Sequence, residues 1–110
     1  MSSSIIIGTD NVWSVPSRFF EYYLDKIRAC YPPDLDSEDA EIFLPGEQAS
    51  DFISVEHLPK EKYQYFVKIV EKEFEKYLQD PRKDTDAFRG KAIGWRELID
   101  QLRKDPRYSP

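Results

Sequence analysis

A small α+β domain, with three main helices and a short antiparallel hairpin or sheet, is expected from three features of this 110-residue chain. Three segments place large apolar residues at steps of three and four, the spacing that draws one stripe down an α-helix. Short apolar or β-branched runs stand beside turn-forming residues, as strands do. An aromatic content of 15% supplies buriable area for one core, while the length falls short of two. An all-α bundle is the alternative, because short apolar runs read equally as pieces of helix.

Ser4 to Ile7 is rich in isoleucine, and Gly8-Thr9-Asp10-Asn11 is turn chemistry ahead of Val12 and Trp13, so a small hairpin opens the chain. From Pro16 to Cys30 a helix is predicted, on the spacing of Phe20, Tyr23, Leu24 and Ile27 continuing to Tyr31; it is capped near Ser17 and stopped by Pro32-Pro33. Residues 32–39 read as an acidic linker whose carboxylates repel one another and favour exposure. Ala40 to Leu44 and Phe52 to Val55 read as two strands of a hairpin, with residues 45–50 as its loop.

The clearest periodicity lies between Pro59 and Gln79, where Tyr63, Phe66, Val67, Val70, Phe74, Tyr77 and Leu78 form one stripe. Pro59 suits a first helical turn, and Pro81 cannot continue the helix beyond Asp80. The outer-face pairs Lys68–Glu71 and Lys72–Glu75 contribute only ~0.2–0.5 kcal/mol each, so this helix depends on burying its aromatic stripe. A polar connection with a single helical turn around Asp86 to Arg89 leads to a third helix from Trp95 to Lys104. Residues 104–110 read as a frayed tail of the single domain 1–110.

The net charge of −5 is unevenly placed. From Met1 to Tyr31, Asp10, Glu21 and Asp25 balance Arg18, Lys26 and Arg28. From Pro32 to Pro59 there are eight acids, Asp34, Asp36, Glu38, Asp39, Glu41, Glu47, Asp51 and Glu56, and no Lys or Arg. From Lys60 onward bases outnumber acids, so the middle segment carries the imbalance.

Several chemistries find no support in the residues. The one cysteine, Cys30, cannot form an intramolecular disulfide, which points to a reducing compartment. Three consecutive isoleucines without a basic flank make neither a signal peptide nor a membrane span, so a soluble cytoplasmic protein is expected. His57 and Cys30 are too few for a zinc site. A calcium loop starting at Asp34 needs Gly at 39 and Glu at 45, where the chain has Asp39 and Pro45. Glycines are scattered and form no phosphate loop. No catalytic residues, metal ligands or cofactors are therefore assigned. Arg82, Lys83, Arg89, Lys91, Arg103, Lys104 and Arg107 are the bases available to nucleic acid, but a pI near 4.9 opposes that use.

The acidic segment interleaves its charges with Ile42, Phe43, Leu44 and Phe52, combining long-range attraction with apolar anchors. The expectation is a non-enzymatic protein that holds a basic protein partner. Asp36, Glu38, Asp39, Glu41, Glu47 and Asp51 are its steering charges, and Phe43 or Phe52 is its anchor. In size, acidity and want of a catalytic constellation the chain is similar to bacterial immunity proteins and antitoxins, a likeness of class that implies neutralisation of a toxin. A helix-mediated dimeric adaptor is the alternative, because Tyr65 and Ile69 lie off the main stripe of the central helix and offer a homodimer surface. A small enzyme of unknown reaction is the third reading.

Overall fold

The computed structural model describes residues 2–47, 51–80 and 86–109. In chain order its elements are β1 (Ser2–Gly8), β2 (Asn11–Pro16), α1 (Ser17–Arg28), α2 (Ser37–Glu47), β3 (Phe52–Ser54), α3 (Lys60–Leu78) and α4 (Asp86–Arg103). The strands form a mixed sheet in the order β2-β1-β3, with β1 antiparallel to β2 and parallel to β3. The opening hairpin forms as its β-branched run and turn residues dictate, with a register shift between Ile6 and Gly8.

Side chains alternate across the sheet, and the two faces differ sharply. Ile5, Ile7, Trp13 and Ile53 on the inner face are buried in one core together with residues of all four helices. An aromatic chain runs out of the sheet: Trp13 meets Tyr23 of α1 edge-on at 5.1 Å, and Tyr23 meets Trp95 of α4 at 4.9 Å. Such tilted pairs add ~0.5–1.5 kcal/mol each beyond the area they bury. Gly94 lets α4 come this close, since a Cβ there would press on the Tyr23 hydroxyl.

α3 forms where its stripe predicts, with Pro59 at its N-cap and Gln79 at its C-cap. Four other expectations are corrected. Pro16, not Ser17, is the N-cap of α1, and the Ser17 hydroxyl instead lies 2.8 Å from that of Ser3. α4 is one continuous helix from Asp86, so the predicted single turn and the third helix are the same element. Ala40–Leu44 is not a strand but the middle of α2, and β3 pairs in parallel with β1 instead of closing a second hairpin. Ile69 is only 6% exposed and belongs to the core, so of the two residues read as a homodimer surface only Tyr65, 48% exposed, faces solvent.

The C-terminal residues pack onto the domain where fraying was expected. Arg107 donates to the carbonyls of Ile7, Val55, Glu56 and Leu58, which joins the ends of β1 and β3 to the entry of α3. Its Nε also donates to Asp105 Oδ1 at 2.9 Å. These carbonyls lie past the last β1–β3 pairing, that of Ile6 with Ser54, and the guanidinium gives them a partner.

Candidate partner-binding face

α2 begins with Asp36, whose Oδ1 accepts from the backbone N–H of Asp39 at 2.9 Å, the geometry of an N-cap. Glu38 and Asp39 occupy the first turn, where carboxylates complement the positive end of the helix dipole. This part of the acidic linker is thus the start of a helix, and its charges have a local structural reason. The chain's own counter-charge arrives from α3. Lys62 donates to Asp36 and lies 3.7 Å from both Glu38 Oε1 and Asp39 Oδ2. The Asp39 N–H, and then the Lys62 ammonium, hold the Asp36 carboxyl below the usual carboxylate range. The bond to Asp36 raises Lys62 in turn. Three carboxylates against one ammonium leave the cluster anionic.

His57 closes the other side of this cluster. Its Nε2 lies 2.8 Å from the carbonyl oxygen of Glu38; since a carbonyl only accepts, Nε2 carries the proton. The same nitrogen is 3.9 Å from the exposed Glu41 carboxylate. His57 therefore ties the loop before α3 to the first turn of α2.

The remaining candidates divide between core and surface. Phe43 is 3% exposed, packs edge-on against Tyr31 at 5.4 Å and lies under the Arg28 guanidinium. It is a core residue, which removes it as a surface anchor. Phe52 is half-buried on β3 and faces the sheet's outer side beside Ser4. Asp51 is exposed immediately before it. The side chain of Glu47 lies outside the described residues. Sequence reasoning missed Leu44 as an exposed group: it is 43% exposed on α2, one turn from Glu41. Its neighbours Ile42 and Phe43 are buried, so a helical reading of the segment is what would have found it.

The bases are mostly engaged within the domain. Arg103 pairs with Glu71, Lys91 lies 4.5 Å from the Tyr22 ring centroid, and Arg107 turns inward. Arg82 and Lys83 lie outside the described residues. Burial and the nearby Glu73 push the Cys30 thiol up, which keeps it protonated. Among the described residues no group of three His, Cys, Asp or Glu side chains is gathered to hold a metal ion, and no helix is long and apolar enough to cross a membrane.

These features define a single-domain α+β protein in which an acidic helix flanks the edge of a small mixed sheet. Among solved structures the chain is similar in fold to a CdiI immunity protein. The match is to the CdiA-CT toxin from Burkholderia pseudomallei E479 in complex with cognate CdiI immunity protein, with a TM-score of 0.78 and 23% sequence identity. It covers 97% of this chain and 99% of that chain, so the whole fold is shared. No family model matches the chain, and no curated protein matches it in sequence.

Proposed function

We propose that this chain is a non-enzymatic binding protein of the immunity type, which holds and neutralises a basic protein toxin in the cytoplasm. The fold likeness to a toxin-bound immunity protein, across 97% of the chain, carries the reading. The charge distribution supports it, because eight acids and no Lys or Arg lie between Pro32 and Pro59. Asp36, Glu38, Asp39, Glu41, Glu47 and Asp51 steer the encounter, and Phe52 and Leu44 supply apolar contact once it has formed. Cations of the partner approach carboxylates that Lys62 only partly neutralises.

The test is protection. Products of the open reading frames adjoining this one are expressed singly in a host, with and without this chain. One of them is expected to arrest growth, to be relieved by this chain, and to copurify with it at low salt and separate as salt rises. The paired substitutions Glu38→Lys and Glu41→Lys leave the Asp36 cap in place and are expected to slow association. Growth arrest that this chain never relieves would overturn the reading.

A further inference from the structure

The sheet has a second face whose side chains, unlike those of the inner face, keep contact with solvent. Ser2, Ser4, Ile6, Val12, Ser14, Phe52 and Ser54 all point to it, by the pairing of Ser4 with Ser14 and Phe52 and of Ile6 with Val12 and Ser54. Each of them is half-buried or exposed, whereas the inner-face isoleucines and Trp13 have at most 1% of their surface in contact with solvent. Val12, at the outer edge, is 45% exposed. The centre of the face is apolar and its margin carries hydroxyls, with Ser4 and Ser14 joined at 3.0 Å.

β2 is also an edge strand, with no second strand paired to it among the described residues. Ser4 and Ile6 of β1 bond to β3, through Ser4 N to Asp51 O and Val55 N to Ile6 O. Alternation then turns the β1 groups of Ser3 and Ile5 toward Val15 and Trp13. The N–H and C=O groups of Val12 and Ser14 consequently face away from the sheet. Edge strands are ordinarily guarded by lysine, proline or a bulge along their length. β2 has Pro16 at one end and the register shift in its pairing with β1 at the other, and neither lies along the Val12–Ser14 stretch.

Charge distinguishes between the occupants of such a surface. The segments that build the sheet, residues 2–16 and 51–56, contain Asp10, Asp51 and Glu56 and no Lys or Arg. All three acids are exposed, two of them at the turn and strand ends that border the face. The nearest cation in sequence, Arg18, lies over the Phe19 ring at 4.8 Å, and Lys104, which lines the hollow beside Asp10 and Val12, shares it with Asp105. A second copy of this chain would bring acids against acids, whereas a basic surface meets complementary charge and an apolar centre.

We propose that the outer sheet face around Ile6, Val12 and Phe52, with the outer edge of β2, seats an apolar part of the basic protein that this chain neutralises. The inference rests on the immunity reading and extends its apolar contact from Phe52 across the outer sheet face, beside the acidic helix that carries Leu44. The toxic neighbouring product identified by the protection assay is the probe, purified and titrated against wild-type chain, Val12→Arg, Ser14→Arg and, on α4, Ile93→Arg. All three positions are exposed, and circular dichroism and thermal melting verify that each variant is folded.

Val12→Arg and Ser14→Arg are expected to raise Kd about 30-fold or more and to abolish protection, because each places a bulky cation on the face that meets a basic partner, with Ile93→Arg unchanged. Folded Val12→Arg and Ser14→Arg variants that bind and protect like wild type would overturn the docking surface and leave the immunity reading intact. A wild-type chain that protects against none of the products overturns both. A dimer of this chain alone that Val12→Arg dissociates would give the face to a second copy and also overturn the proposal.

Discussion

The guanidinium carbon of Arg107 lies 4.0 Å from the centroid of the Tyr63 ring, so one residue near the C-terminus covers the first turn of α3 while bonding to carbonyls at the ends of β1 and β3. The Tyr63 hydroxyl reaches the other way and donates to the carbonyl of Leu102 at 2.5 Å. Together they join the sheet, α3 and α4 at one point.

Replacing Arg107 with alanine removes the partner of four carbonyls and a cation over an aromatic face. A loss of about 3 kcal/mol or more is expected in chemical denaturation. Arg107→Lys is expected to recover little, because an ammonium cannot span the same carbonyls as a planar fork. A loss below about 1 kcal/mol would contradict this account.

Asp105 gives the same junction a pH dependence. Its bonds to Arg107 hold the carboxyl below the usual range against the opposing effect of burial. The folded pKa is thus below the unfolded one. The contribution is fully present above about pH 4, the unfolded aspartate value, and is lost as pH falls through the lower folded value. Asp105→Asn is expected to unfold at lower urea near pH 7 and to lose stability less steeply below pH about 4. Equal slopes in the two proteins would count against it.

Two glycines of α4 respond in opposite ways. A Cβ at Gly94 would press on the Tyr23 hydroxyl and lie 2.9 Å from its Cζ, while Tyr23 is held by a bond to the Lys91 carbonyl. Gly94→Ala is expected to cost ~1–3 kcal/mol despite alanine's better helix propensity. At Gly90 a Cβ meets nothing within 4 Å, and Gly90→Ala is expected to add up to ~1 kcal/mol. Thermal melts of the pair make the comparison.

Phe43 and Leu44 are adjacent on α2 but differ in environment. Phe43→Ala is expected to cost ~3–5 kcal/mol of folding stability. Leu44→Ala is expected to leave stability within ~0.5 kcal/mol of wild type, as exposed substitutions do. The reverse order in a urea titration would show α2 rotated about its axis.

At Asp36, capping and charge can be separated. Asparagine keeps an N-cap acceptor and loses the bond to Lys62, whereas alanine loses both. Hydrogen exchange of α2 amides is expected to quicken markedly in Asp36→Ala and only slightly in Asp36→Asn.

The extents of α1 and α3 and the opening hairpin were legible in the chain because their signals are local. Apolar spacing, Pro59 and Pro81 at the margins of α3, and the Gly8–Asn11 turn need no distant partner to be read. α2 was not legible as a helix. Ile42, Phe43 and Leu44 are contiguous, and Pro45 lies inside the element, so neither periodicity nor composition speaks for a helix. The Asp36-Ser37-Glu38-Asp39 cap was the signal available there.

Other features depended on elements meeting across the core. β3 finds its partner in β1, more than forty residues earlier, through parallel pairing that local pattern does not encode. Packing turned Phe43 and Ile69 inward while leaving Leu44 and Tyr65 in solvent, and it set Lys62 among the carboxylates of α2. Residue order thus establishes which segments coil and where charge accumulates, because those properties follow from neighbours along the chain. Which side of a segment is buried, and which charge meets which, follows from several elements competing to cover one apolar core.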